Sequence, residues 1–431
     1  MASQNPVSRR DFVSGSARGA AALGAIRGNA QNVPAGERVG LAVIGVGGRG
    51  TGAVKQTLEL GTANVVAVCD VDSNAAERAS QLVYQSTNRA ARTVSDFRKL
   101  LDDKSIDAVM IATPHHWHSP IAVAAMKAGK DVYVEKPASH VFREGRVLIE
   151  TARKYNRIFQ HGTQMRSSEV TAKARELLDA GVIGAVKMSK AWNMQRMKPP
   201  APLSDGPAPP GVDYDMWLGP APKRPFNPHR FNRSINWSNS FDYGNGSIGN
   251  DGIHDLDMAR FGLNPKTHPV RITTAGSNVD GALGDYSDNM QVSYEFEEGK
   301  VLLYEERSWT PYGQFGVDSG NMFYGTEGFM VFSRRGFFQV YLGRKEEKGP
   351  GMKGGGGHPK HFADFLESVR TRKPTIAPAE VAHLSCALVH LGTIAYRVGR
   401  VLRFDPKTET FPNDPEANRL LTKTYRPPFA L

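Results

Sequence analysis

Three glycines at a fixed spacing, Gly45, Gly47 and Gly50, follow the apolar run Val39 to Ile44 and precede a helix-like pattern. This is the G-x-G-x-x-G spacing of strand, tight turn and helix. The first glycine permits the turn, the second lets backbone approach a pyrophosphate, and the third allows close packing of helix on strand. A phosphate there sits on N-terminal helix amides, so Gly48 and Arg49 belong to the same candidate cofactor loop. In a chain with 44 glycines the spacing alone could fall in a surface loop. Context removes most of that possibility. A second apolar run, Asn64 to Cys69, ends at Asp70, about 20 residues after Gly50, where a carboxylate accepts hydrogen bonds from the adenosine ribose hydroxyls. The same charge repels a 2′-phosphate, and Val71-Asp72-Ser73 adds a second acid rather than a base. The expected cofactor is therefore NAD, with NADP disfavoured.

Later strand ends carry further chemistry. Ile106 to Ala112 is near-continuously apolar and ends in Thr113-Pro114-His115-His116-Trp117-His118; Asp131 to Glu135 ends in Lys136-Pro137. Ligands of a doubly wound sheet lie beyond the carboxyl ends of its strands, so Thr113, Pro114, His115, His118, Glu135 and Lys136 are expected around the nicotinamide ring. The histidine cluster has no accompanying cysteine or carboxylate spacing, and no metal is expected. Far downstream, Gly244, Gly246, Gly249 and Gly252 bracket Asn250 and lead to His254. If that helix begins early enough, Asn250 lies about one turn before His254, with amide and imidazole on one face.

These residues need elements to hold them. Between residues 39 and 160 apolar runs alternate with helical patterns, which implies right-handed crossovers and a parallel sheet. After residue 160, Val182 to Trp192, Val270 to Ser277, Asn289 to Phe296 and Lys300 to Arg307 alternate apolar and polar residues, as a sheet with one covered face requires. Residues 199–228 form a Pro-rich arm punctuated by Trp217, Leu218 and Phe226. Gly354 to Gly357 reads as a flexible joint before helices near His361 to Arg370 and Val381 to Val398. The expected organisation is a leader and linker over 1–34, a nucleotide-binding domain over 35–160, an α/β domain over 161–400 and a tail over 401–431.

At 431 residues and 40% hydrophobic, the chain can bury two proper cores. Its formal charge of +11 is spread along the sequence rather than clustered with aromatics, which argues against nucleic acid as a partner. Cys69 and Cys386 read as small apolar fillers. Ser8-Arg9-Arg10-Asp11-Phe12-Val13, the small-residue stretch Val13 to Ile26 and Gly28-Asn29-Ala30 together look like a twin-arginine export signal with a cleavage site. Arg18 departs from that pattern. A periplasmic or otherwise exported location is expected, with a cytoplasmic one as the alternative. Past residue 30 no uninterrupted apolar run approaches the ~18 residues that span a bilayer, so no membrane is expected for the mature form.

Together, the glycine fingerprint, Thr113-Pro114 with His118, Glu135-Lys136-Pro137 and Gly252-x-His254-x-x-Asp257 resemble the glucose-fructose oxidoreductase and inositol dehydrogenase family (Gfo/Idh/MocA), over about residues 38 to 400. The resemblance implies an α/β protein: an N-terminal Rossmann doubly wound parallel sheet, then an α/β domain with a large open, mainly antiparallel sheet that often forms homo-oligomer contacts. It also implies a nicotinamide cofactor and a carbohydrate or polyol substrate. Carried over residue by residue, Lys136 is similar to the family's lysine that orients the reacting hydroxyl and the cofactor, and His254 to its acid/base histidine. Where many members have Asp four residues before that histidine, this chain has Asn250, an amide that orients a hydroxyl without taking its proton. His115 replaces a frequent Asn. Gln164 joins the expected cofactor contacts, and Arg166, Trp192, Asn193, Tyr243 and Asp257 are candidate sugar contacts. The expected activity is NAD-dependent oxidation of a sugar, glycoside or polyol hydroxyl; the alternative is an NAD-dependent glycosidase that oxidises, eliminates and re-reduces its substrate.

Overall fold

The computed structural model describes residues 33–195, 203–232, 234–279, 284–310 and 312–431. Six strands, β1 (Val39–Ile44), β2 (Ala63–Cys69), β3 (Arg92–Val94), β4 (Ala108–Ile111), β5 (Asp131–Val134) and β6 (Phe159–His161), form a parallel sheet in the order β3-β2-β1-β4-β5-β6. Every residue of β1 is buried, as a strand covered on both faces requires. Its side chains alternate accordingly. Ala42 and Ile44 pack with Trp117 and Ile121, whereas Leu41 and Val43 pack with Phe362, Phe365 and Leu366. Between the strands lie α1 (Arg49–Leu60), α2 (Ser73–Thr87), α3 (His115–Lys127) and α4 (Phe142–Lys154).

After α5 (Glu169–Asp179) the chain builds a nine-stranded sheet from β7 (Met188–Asn193), β8 (Arg271–Ser277), β9 (Asn289–Glu295), β10 (Val301–Arg307), β11 (Ser319–Tyr324), β12 (Gly328–Ser333), β13 (Phe337–Leu342), β14 (Glu347–Lys353) and β15 (Leu402–Arg403). The order is β14-β13-β12-β11-β7-β10-β9-β8-β15, antiparallel except where β7 meets β10. Burial alternates residue by residue along β10. Its inward Leu302 and Tyr304 share a core with Ile253 and Leu256 of α6 (Ile253–Leu263) and with Val389 of α8 (Ala379–Val398). Helix α8 is long and apolar enough to cross a membrane, yet its apolar side chains are spent inside the protein.

Two segments pack across the expected divisions of the chain. Helix α7 (His358–Thr371) belongs by sequence position to the second domain but covers one face of the nucleotide-binding sheet through Phe362, Phe365, Leu366 and Val369. Residues 401–431, expected as a tail, pack on the second domain: β15 pairs with β8, and Phe404, Phe411 and Leu421 are buried. The Gly354–Gly357 joint is tied down by Gly354 N–H donating to Gly336 O (2.8 Å) and Ser168 Oγ donating to Gly355 O (2.7 Å). The expected export signal lies outside the described residues, as does the start of the Pro-rich arm. From 203 onward that arm is a strap over the first domain: Val212 bridges to Asp72, Ser73 N–H donates to Gly211 O (2.9 Å), and Asp213 N–H donates to Val71 O (2.8 Å).

Candidate active site

The glycines divide their work as their spacing demands. Gly45 has φ +85°, and a Cβ there would lie 2.7 Å from the Ala112 carbonyl; a Cβ on Gly50 would lie 1.9 Å from Gly45 O. These two close the turn on the sheet. A Cβ on Gly48 would meet nothing within 4 Å, and one on Gly47 would meet only the Asp70 carboxylate at 3.9 Å. The loop therefore leaves an open berth. Gly48 caps α1 without a side-chain bond, so the first-turn amides face that space and suit a pyrophosphate. Asp70 accepts from Val46 N–H (2.7 Å) and Asp72 N–H (3.0 Å), which aims it at the same space. Burial raises its carboxyl above the usual range while those amides oppose the shift. This donor and acceptor set fits a dinucleotide.

From this loop a cleft of about 680 Å³ runs to the junction with the second sheet. Arg49, Thr113, Pro114, His115, His118, Glu135, Lys136 and Gln164 all line it. Several brace one another. Arg49 Nε donates to Glu135 (2.8 Å), and Gln164 Nε2 donates to Glu135 and to the Tyr133 hydroxyl (both 2.9 Å). Burial works against the Glu135 charge, yet Arg49 and Lys136 hold its carboxyl below the ordinary value. His118 is a strut, its two ring nitrogens against Pro137 O (2.7 Å) and Thr113 O (2.8 Å). His116 is another, set against the Tyr243 and Trp217 carbonyls (3.3 and 3.0 Å). His115 differs: it packs edge-on to Trp237 (4.9 Å) with its Nδ1 unpaired.

At the far end, Lys136 Nζ donates to the main-chain carbonyl of Asn250, and His254 lines the same space. Burial lowers the Lys136 ammonium, against the pull of Asp251 and Glu135. Burial, then the positive charges of Arg334 and Lys136, drives the His254 imidazole well below its usual value. His254 is thus neutral at neutral pH. The expected single helical face for Asn250 and His254 does not form. A short helix, Gly246–Asn250, ends at Asp251 (φ −129°, ψ −45°) before α6 begins. Gly252 stands in the break because a Cβ would lie 2.0 Å from the Tyr304 hydroxyl. The break turns the carbonyl of residue 250 toward Lys136 and puts Asp251 into the cleft.

The expected sugar contacts lie elsewhere. Arg166 and Asp257 form a buried bidentate ion pair (2.8 Å), with Ser385 Oγ donating to the same carboxylate (2.6 Å). Trp192 is fully buried, with its indole N–H donating to Val317 O (3.1 Å). Asn193 donates to Ser247 Oγ (3.3 Å), and Tyr243 packs behind Trp217 (5.0 Å between ring centroids). None of the five lines the cleft. Its wall is instead Met216, Trp217, Phe231, Trp237, Asp251 and His358. Trp217 already marked the strap, but nothing local says which way a strap turns its rings. The compact group His268, His383 and Glu409 lies apart from the cleft, and Arg146 also donates to its carboxylate.

Two family models match the chain: an oxidoreductase-family NAD-binding Rossmann fold over residues 39–163, and an oxidoreductase-family C-terminal α/β domain over residues 182–326 and 356–431. A levoglucosan dehydrogenase of Pseudarthrobacter phenanthrenivorans is 26% identical over 64% of this chain and 73% of its own length. A glycosyl hydrolase family 109 protein of Saccharopolyspora erythraea is 32% identical over 42% of this chain and 44% of its own. Among solved structures, levoglucosan dehydrogenase in complex with NADH and levoglucosan superimposes with a TM-score of 0.65 at 19% identity, covering 85% of this chain and 99% of that one. GenD2 from gentamicin A biosynthesis in complex with NAD gives 0.64 at 19%, covering 85% and 97%. At these identities the structures establish the fold.

Proposed function

The chain belongs to the Gfo/Idh/MocA oxidoreductase family, and from that premise we propose that it transfers a hydride between NAD and a hydroxyl-bearing carbon of a sugar, glycoside or polyol. One observation carries the reading: Lys136 and His254, 118 positions apart, line one cleft that begins at the dinucleotide loop. His254, held neutral, takes the hydroxyl proton. The Lys136 ammonium, anchored on the Asn250 carbonyl, donates to the same oxygen and stabilises the charge that develops there. A nicotinamide dinucleotide held by the glycine loop and Asp70 would supply the hydride acceptor for the carbinol carbon. Trp217 and Trp237 line the cleft, and aromatic side chains suit the apolar C–H surfaces of a sugar. The levoglucosan dehydrogenase relative supports this substrate class.

The glycosyl hydrolase family 109 relatives favour a second use of the same parts, transient oxidation followed by elimination of the glycosidic substituent and re-reduction. A panel of sugars and glycosides supplied with NAD separates the two. Stoichiometric NADH identifies the dehydrogenase. Cleavage without net NADH, with solvent deuterium appearing beside the oxidised carbon, identifies the redox glycosidase. Neither product from a cofactor-loaded protein overturns both.

Export through a twin-arginine signal is supported by Arg9-Arg10 and the small-residue stretch after them. Replacing both arginines with lysine should leave precursor in the cytoplasm; normal processing of that variant removes the reading. Homo-oligomerisation is supported by the sheet face on which Phe329 stacks on Tyr341 (4.9 Å) beside partly buried Phe337.

A further inference from the structure

The end of the cleft that holds Lys136 and His254 has two carboxylates, Glu135 and Asp251. Glu135 is committed to Arg49 and Gln164. Asp251 is held differently, by a residue far away in sequence. Arg334 lies on the turn between β12 and β13, with its side chain 14% exposed. Its Nη2 donates to Asp251 Oδ2 (2.5 Å), its Nε donates to Ser319 Oγ (2.5 Å), and its Nε also lies 3.5 Å from Asp255. Ser319 Oγ in turn lies 2.8 Å from both Asp255 oxygens. Gln195, just after β7, donates to Asp251 from the other side. One guanidinium therefore ties the break between the short helix and α6 to the second sheet.

We propose that Arg334 is a positioning residue for the reaction: its fork fixes Asp251 at the mouth of the Lys136 site and presents a permanent positive charge to the first turn of α6, which carries His254. The proposal rests on the oxidoreductase reading above. A planar fork suits this work because it holds two acceptors at once and cannot lose its charge. Charged groups face the reacting pair from every side. Burial is the main cause that lowers both groups; Arg334, Lys136, His358 and His161 lower His254 further, whereas Asp251 and Glu135 support the Lys136 charge against Arg334 and Arg49. Arg334 thus biases the histidine toward its proton-accepting form, while the aspartate it holds opposes the loss of the lysine's proton that burial favours. Asp255 behind them is buried, and burial lifts its carboxyl to about 7 against the pull of Arg334.

The test compares R334Q, R334K, D251N and the surface control R335Q, whose parent side chain pairs with exposed Asp318 (2.7 Å). Two readouts are needed: kcat against pH, and titration of the His254 ring by NMR of histidine-labelled protein, assigned with H254Q. R334Q should lower kcat roughly ten- to a hundredfold, as misplaced catalytic groups do, with bound NAD unchanged and the His254 titration moved to higher pH. R334K should restore that titration while recovering only part of kcat. R335Q should match the parent. Parent-like kcat and titration in R334Q, or equal changes in R335Q, overturn the proposal. If R334Q does not fold, D251N decides, since it leaves Arg334 on Ser319 and Asp255: lower kcat with the alkaline limb moved down supports the proposal, and parent behaviour overturns it. The ring titration reads the protein without a substrate, so it stands or falls apart from the activity assigned to the site.

Discussion

Lys136 approaches the cleft from beyond the end of β5 and His254 from the first turn of α6, and burial shifts both toward their neutral forms. For the histidine this is an advantage, since an imidazole must be unprotonated to accept a proton. A group whose value is lowered stays in its basic form further into acid. The acid limb of kcat/KM should therefore fall below the ordinary histidine range, and the alkaline limb, where Lys136 loses its proton, below the ordinary lysine range. Lys136→Ala and His254→Ala should each lower kcat by about 10² or more while leaving NAD affinity nearly unchanged. Steady-state kinetics against pH, with NAD binding measured by fluorescence titration, checks both statements. The cofactor loop was legible because its glycines act over six consecutive positions, where spacing and geometry are nearly the same thing. Arg166 and Asp257 misled because a buried ion pair and a sugar contact use the same residue types. Asp251 escaped notice because only the helix break after Asn250 turns it into the cleft.

At the scale of elements, the strap is the feature that sequence composition half revealed. Its prolines and aromatics marked an ordered arm, yet only the pairing of 211–213 with 71–73 shows that it crosses beside the ribose carboxylate Asp70. The short helix Tyr214–Leu218 then carries Met216 and Trp217 into the cleft wall. Gly211 fits that crossing narrowly: it has φ +83°, and a Cβ would lie 2.5 Å from Ser73 Oγ. Side chains other than glycine resist this backbone conformation, so Gly211→Val should lift the strap from the β2–α2 loop. We expect the Kd for NAD to rise about tenfold, which is ~1.4 kcal/mol, with less than a twofold change in kcat at saturating cofactor. Isothermal titration of the variant checks the first part. An unchanged Kd would mean that the strap covers the cofactor cleft without holding anything in it.

For the whole molecule, the chain returns at its end to the domain where it began. Lys423, 16% exposed, pairs with fully buried Glu144 of α4 (2.9 Å), Tyr425 donates to the same carboxylate (2.8 Å), and His140 N–H completes its shell (2.6 Å). No sequence pattern announces such a contact, because 279 positions separate Lys423 from Glu144. The packing of helix α7 on the first sheet was hidden for the same reason: its amphipathic pattern shows that it covers something, not which sheet. Burial opposes the Glu144 charge, but Lys423, the His140 amide and the Tyr425 hydroxyl hold its carboxyl below the usual range. A depressed carboxyl contributes stability above its unfolded value and loses it as pH falls through the folded one. The docking of residues 423–425 should therefore weaken on acidification before the sheets themselves open. Removing one partner of a buried pair costs about 3–5 kcal/mol, since the other charge stays behind unsatisfied. Glu144→Ala should destabilise the protein by that amount, and Glu144→Leu with Lys423→Met by distinctly less. Urea unfolding of the parent and both variants at pH 7, and again below the ordinary glutamate range where the Glu144 contribution is lost, tests this directly. Equal losses for single and double variants would show that packing, not the buried charge pair, fastens the end of the chain.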